Sequence, residues 1–164
     1  TDFFPIPEPL ILGEATRIMS LRDGSKKMSK SDPSDYSRIM LTDTAENIVQ
    51  KIKKAKTDPQ PLPEINQALE NRPEAENLIS IFASLQDNSI ENVIKDYAGK
   101  EFSVFKKDLA DLAVSKLEPI TSEMNKLMGD KSYIDSVLKV GKEKAIQVAE
   151  PVLAKTKEII GFLS

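Results

Sequence analysis

The chain has 164 residues, 40% apolar and 30% charged, with a formal net charge of −3; this suffices for one core, or a core plus part of another, and excludes a generic nucleic-acid-binding polycation. It contains no Cys and no His, which removes disulfides, thiolate catalysis, Cys- or His-ligated metal and any Ser-His or Cys-His nucleophile pair, so chemistry must rest on Lys, Arg, carboxylates, hydroxyls and backbone amides. Its apolar clusters are short and broken by Lys, Glu, Asp or Pro, far from the roughly 20 consecutive apolar residues of a membrane-spanning helix, so a soluble globular chain is expected.

The first residues, Thr1-Asp2-Phe3-Phe4-Pro5-Ile6-Pro7, lack an initiating Met, a basic stretch and an apolar stretch, and read as a cut end rather than a natural start or a signal peptide. Pro5, Pro7, Pro9 and Gly13 oppose a helix over 1–16 and suggest an extended segment wrapping a neighbour. Arg17 to Leu21 alternates as a short strand does, with Ile18 and Ser20 on one side and Met19 and Leu21 on the other. Arg22-Asp23-Gly24-Ser25 is turn chemistry. Lys26 to Arg38 is rich in Lys, Ser and Asp and holds Pro33, which predicts an exposed, mobile loop.

Asp43 is placed to N-cap a helix, with Glu46 completing a capping box. Ile48, Val49, Ile52 and Ala55 then form one apolar stripe that leaves most of the lysines outside it. Pro59, Pro61, Pro63 and Pro73 mark a connector over 57–73, with a short helical turn around Ile65 to Leu69. Beyond Pro73 helices dominate. Leu78, Ile79, Phe82 and Leu85 make one stripe; Ile90, Val93, Ile94 and Tyr97 make the next, between an N-cap at Ser89 and a stop at Gly99. A long third pattern runs from Phe105 to Leu127, kinked at Pro119 and ended by Gly129-Asp130. Tyr133, Val137 and Leu138 open a fourth, and Ile146, Ala149, Leu153 and Ile160 a fifth, divided by Gly141. Amphipathic helices joined by short turns predict a bundle, with Phe82, Tyr97, Phe102 and Phe105 in its core rather than as base-stacking platforms.

Two basic clusters stand out from the acidic background. Arg17, Arg22, Lys26, Lys27 and Lys30 face only Asp23, and Lys51, Lys53, Lys54 and Lys56 form the second. In the first, ammonium groups beside the hydroxyls of Ser29 and Ser31 on a flexible loop suit a polyanion such as a nucleotide phosphate. A solvated basic loop has the same composition, so charge alone does not separate the two.

The order of the residues does. Lys27-Met28-Ser29-Lys30-Ser31 is the second signature motif of class I aminoacyl-tRNA synthetases. Arg17-Ile18-Met19-Ser20-Leu21 before it and Ser31-Asp32-Pro33 after it resemble the tryptophanyl-tRNA synthetases of the bacterial and organellar type, with the tyrosyl enzymes as the nearest relatives. Lys51 to Lys56 followed by Thr57-Asp58, the stretch Ala75 to Leu85, Tyr97 to Gly99, and Val104-Phe105-Lys106 with Asp108-Leu109-Ala110 extend the likeness over nearly the whole chain.

The resemblance implies a mainly α fold: residues 1–42 as the last strand and signature loop of a Rossmann-like catalytic domain, and residues 43–164 as a helical bundle that binds the tRNA anticodon stem and loop. It implies ATP-dependent activation of tryptophan to the adenylate and transfer to tRNA(Trp), with Mg2+ held mainly by the phosphates. Lys27 and Lys30 would be the catalytic cations on the triphosphate and departing pyrophosphate. Ser29 and Ser31 would add hydrogen bonds, and the backbone of Met28 and of Ile18 would meet the adenine. Lys26 would add only general positive charge. Lys51, Lys53, Lys54 and Lys56 are candidates for tRNA phosphate contacts, against an equally ordinary reading as a solvated helix face. The family's homodimer and a cytoplasmic or organellar-matrix location follow by the same resemblance. The His-containing signature of the Rossmann half cannot be present in a chain without His, so the isolated chain is expected not to form the adenylate. The rival readings are a non-catalytic helical RNA-binding module and a tyrosyl-tRNA synthetase relative.

Overall fold

The computed structural model describes residues 3–11 and 16–162. Gly13, one of the residues expected to keep the N-terminal segment from helix, lies outside them. Residues 3–11 carry no helix or strand and are mostly exposed, as three prolines require.

A two-stranded antiparallel hairpin follows, β1 (Met19–Ser20) and β2 (Asp23–Lys27). The expected turn at 22–25 is therefore displaced to Leu21-Arg22, and Lys26 and Lys27 belong to a strand rather than to the loop. Local hydrogen bonds explain the shift. The Ser20 hydroxyl accepts the Arg22 N–H at 3.1 Å, and one Asp23 carboxylate oxygen accepts both the N–H and the hydroxyl of Ser25. Met19 pairs with Lys27 but Ser20 with Asp23, so an irregularity between the two pairs holds the extra residues of β2.

Five helices complete the described chain: α1 (Ala45–Lys53), α2 (Pro73–Gln86), α3 (Ile90–Tyr97), α4 (Phe102–Gly129) and α5 (Lys131–Ile160). The chain is mainly helical, as expected. Thr44, not Asp43, caps α1, accepting the Asn47 N–H at 3.3 Å; Asp43 is drawn into a different set of contacts described below. A 3-10 turn over Asn66–Leu69 sits in the proline-rich connector. Pro73 occupies the first turn of α2, where a missing N–H costs nothing. Ser89 caps α3, and Gly99 stops it with φ +69°. The helix α4 continues through Pro119 as one element. The break expected at Gly141 does not occur: α5 runs unbroken across Gly141 and Pro151. A glycine costs a helix only about 1 kcal/mol against Ala, and Gly141, without a left-handed φ, has nothing to end it.

Two compact units divide the chain, Thr1–Thr121 and Ser122–Ser164. In the first, the hairpin residue Leu21 shares one core with Ile48 and Ile52 of α1, Leu78 and Phe82 of α2, and Phe105 of α4. Phe82, Tyr97 and Phe105 meet as a trio with ring centroids 4.9–5.3 Å apart, in the tilted and edge-on arrangements aromatic rings prefer. In the second unit, α5 has no buried residue.

Candidate functional site

The hairpin sets the signature loop. The carbonyl of Ile18 accepts the Met28 N–H at 3.1 Å, which prolongs the strand pairing by one step, and the partly buried Met28 side chain packs against the core. Met28 is thus the anchor, and its neighbours point outward: Lys27, Ser29, Lys30 and Ser31 are all exposed.

Beyond Met28 the loop folds on its own hydroxyls. The hydroxyls of Ser29 and Ser31 lie 3.0 Å apart, the Ser31 N–H donates to Ser29 Oγ at 3.3 Å, and the Asp32 N–H donates to the Ser29 carbonyl at 3.4 Å. Lys26 is drawn to Asp23 at 3.2 Å. Hydrogen bonds from the Ser25 hydroxyl, from Lys26 and from the Ser25 N–H hold the Asp23 carboxyl down to about 2. The positive charge of Lys26 is therefore partly neutralised inside its own strand.

The far side of the loop is built on a 3-10 turn, Asp35–Ser37. Arg38 Nη1 donates to the carbonyls of Asp32 and Ser34 at 2.9 and 3.3 Å, while Nη2 pairs with Asp35 at 3.3 Å. The Ser37 carbonyl accepts the Leu21 N–H at 2.9 Å, tying this turn back to the hairpin. Arg38 and Asp35 carried no signal in the sequence beyond ordinary loop polarity.

The second basic cluster divides into four different environments. Lys51 is buried, with Nζ at 2.6 Å from Asp43 and 2.9 Å from Asp35; the reading of Lys51 as part of a solvated helix face is corrected. Burial pulls its pKa down, but the hydrogen bonds to Asp43 and Asp35 outweigh this and leave it raised. Lys54 lies over the Tyr36 ring, 4.5 Å from its centroid, and donates to the Tyr36 hydroxyl. Lys56 pairs with Glu74 at 2.7 Å, which raises the lysine and lowers the carboxyl. Lys53 is exposed and lines a cavity of about 500 Å³ together with Lys106, Lys107, Thr57 and Ser103.

The two basic clusters, separate in sequence, meet in space at the C-terminal end of α1. Arg22 Nη1 donates to the Lys54 carbonyl at 2.6 Å, the Lys56 N–H donates to the Leu21 carbonyl at 2.7 Å, and Lys106 Nζ donates to the Ala55 carbonyl at 2.6 Å. Two cations thus serve the carbonyls of the C-cap residue and of the residue after it, next to the negative end of the α1 dipole. Burial, with the charge of Arg22, lowers the pKa of Lys106. Downstream, Asp58 takes a two-pronged hydrogen bond from Arg72 at 2.8 and 2.9 Å, closing the proline-rich connector.

Comparison with known proteins finds relatives over most of the chain. The family described as tRNA synthetases class I (W and Y) matches residues 1–120. A tryptophan–tRNA ligase of Mesorhizobium japonicum is 58% identical over 161 residues, 98% of this chain and 45% of that protein; the tryptophan–tRNA ligase of Rhizobium meliloti is also 58% identical, over 98% of this chain and 46% of its own length. The crystal structure of tryptophanyl-tRNA synthetase from Mycoplasma pneumoniae superposes with a TM-score of 0.75 at 25% identity, covering 92% of this chain and 47% of that one. The chain spans about half the length of these relatives.

Proposed function

The chain belongs to the class I tRNA synthetases for tryptophan and tyrosine, and from that premise we propose that it is the part of a tryptophan–tRNA ligase that supplies the cationic ATP loop and the helical tRNA-binding region. The loop belongs functionally with residues 1–42 and the tRNA-binding helices with 43–164. The observation that carries the reading is the loop's construction: Met28 fastened to Ile18 and to the core, with Lys27, Ser29, Lys30 and Ser31 turned outward. Such an arrangement offers two ammonium groups and two hydroxyls to one polyanion without unfolding the hairpin.

In the proposed reaction the tryptophan carboxylate attacks the α-phosphate of ATP and pyrophosphate departs. Negative charge grows on the leaving group, so Lys27 and Lys30 stabilise the transition state more than bound ATP, and this difference raises rate. Ser29 and Ser31 orient the phosphates, and the Met28 and Ile18 backbone meets the adenine. Mg2+ arrives with the nucleotide as part of the substrate. For tRNA(Trp), Lys53, Lys54 and Lys56 are the surface lysines suited to phosphate contacts, since Lys51 is committed to its two carboxylates. The intact protein is proposed to be a homodimer of the cytoplasm, or of an organellar matrix in a eukaryotic source. Among the described residues no helix is long and apolar enough to cross a membrane.

The test uses the full-length enzyme. Lys27→Ala and Lys30→Ala should each lower tryptophan-dependent pyrophosphate exchange by roughly a hundredfold or more, with tRNA affinity nearly unchanged and tyrosine inactive as substrate. Equal losses of exchange and tRNA affinity would instead support the non-catalytic RNA-binding module.

A further inference from the structure

A lysine inside a nine-residue helix that is otherwise organised around Ile48 and Ile52 invites explanation. The Lys51 side chain is 4% exposed, and an ammonium group is removed from water at a cost that only close carboxylates offset. An apolar side chain would fill the same place in α1 at no such cost. What the charge adds is reach and direction: its Nζ joins Asp43, 2.6 Å away and itself nearly buried, to Asp35, 2.9 Å away in the 3-10 turn that follows the signature loop.

The contacts then run in an unbroken line toward that loop. Asp35 pairs with Arg38, and Arg38 donates to the Asp32 carbonyl, the residue after Ser31. Asp43 in turn accepts the Met40 N–H at 2.8 Å, so the lysine also fixes the chain that leads from Arg38 into α1. The loop's near root is a backbone hydrogen bond to Ile18; its far root has one backbone tie to the hairpin, at Ser37, and between Ser31 and Ser37 is braced by the side chains of Asp35 and Arg38.

Resting on the reading that the loop binds ATP phosphates, we propose that Lys51 is a positioning residue. Together with Asp35 and Asp43 it latches the far root of the loop onto α1, so that Lys30 is held at the height and direction the triphosphate requires. Lys51 touches no substrate and acts through Asp35 and Arg38.

The closing experiment is tryptophan-dependent pyrophosphate exchange by the full-length enzyme. Asp35→Asn removes the loop side of the latch but keeps the buried Lys51–Asp43 pair, and Asp35 is 63% exposed, so this variant keeps the fold. It should lower kcat about fivefold, the scale of a partly exposed charge pair, leave the KM for tryptophan and the thermal midpoint unchanged, and cause no further loss when added to Lys30→Ala. Lys51→Met should lower kcat to the same extent at temperatures where it is folded, although its thermal midpoint falls because Asp43 loses its partner, and Lys51→Arg, which reaches both carboxylates, should restore most of the rate. A merely structural role moves the thermal midpoint and leaves kcat intact; that outcome, or losses from Asp35→Asn and Lys30→Ala that multiply in full, overturns the inference. A damaging Lys30→Ala beside a silent Asp35→Asn overturns it alone, whereas a silent Lys30→Ala overturns the ATP-loop reading and the inference with it.

Discussion

Tyr97 shows how a single polar atom is managed in this core. Its ring packs against Phe82 and Phe105 while its hydroxyl donates to Asp108 at 2.9 Å, and burial, followed by that hydrogen bond, pushes its pKa up to about 12. The folded value lies above the ordinary one, so the folded state holds this proton more tightly than the unfolded state does. Its stabilisation is complete below about pH 10 and is lost as pH rises toward about 12. Phenolate absorbance, taken as the difference between the native chain and Tyr97→Phe, should titrate near the upper value; a midpoint at the ordinary tyrosine value would show that the buried hydrogen bond is not formed. That Tyr97 faces the core was legible in the helical stripe of α3. That Asp108 accepts its hydrogen bond was not, because the partner belongs to another helix.

At the scale of elements, the docking of the hairpin depends on one glycine. A Cβ on Gly24 would stand 2.6 Å from the Glu74 nitrogen and the Pro73 carbonyl carbon, both backbone atoms at the start of α2, and backbone cannot yield as a side-chain tip would. Gly24→Ala should therefore destabilise the chain by about 1–3 kcal/mol, read as a lowered midpoint in urea; an unchanged midpoint would mean that β2 and α2 do not approach so closely. In the sequence Gly24 read only as turn chemistry, since a turn glycine and a close-approach glycine look alike until the neighbour is known. The same limit explains α1. Asp43 and Thr44 are both good caps, and the choice between them fell to Lys51, which claims the Asp43 carboxylate and leaves the cap to Thr44. Where no distant group intervenes, as at Pro73 and Ser89, the local signal was sufficient.

For the molecule as a whole, the core of the first unit concentrates the stability. Phe105 is fully buried at the junction of α2, α3 and α4, and Phe105→Ala should cost about 3–5 kcal/mol by lost burial and the cavity left behind. Leu138 on α5 is 64% exposed, and Leu138→Ala should change stability by no more than about 0.5 kcal/mol. Denaturant unfolding of the two variants side by side checks the contrast, and similar losses would contradict it.

The sequence by itself determined the mainly helical fold, the apolar stripes, most helix ends and the order of the loop residues, because these depend on neighbours within one or two turns of chain. The exposed lysines and hydroxyls from Lys27 to Ser31 were legible for the same reason: their outward placement needs only a fixed Met28 between them. Tertiary structure alone decided that Lys26 and Lys27 lie on a strand, that Arg22 and Lys106 serve the end of α1, and that Lys51 leaves the solvent face its neighbours occupy. A lysine is spaced like any other polar residue in a helical pattern. Whether its charge meets water or two carboxylates is settled by segments that fold against it, and in this chain those are Asp43 before α1 and Asp35 beyond the signature loop.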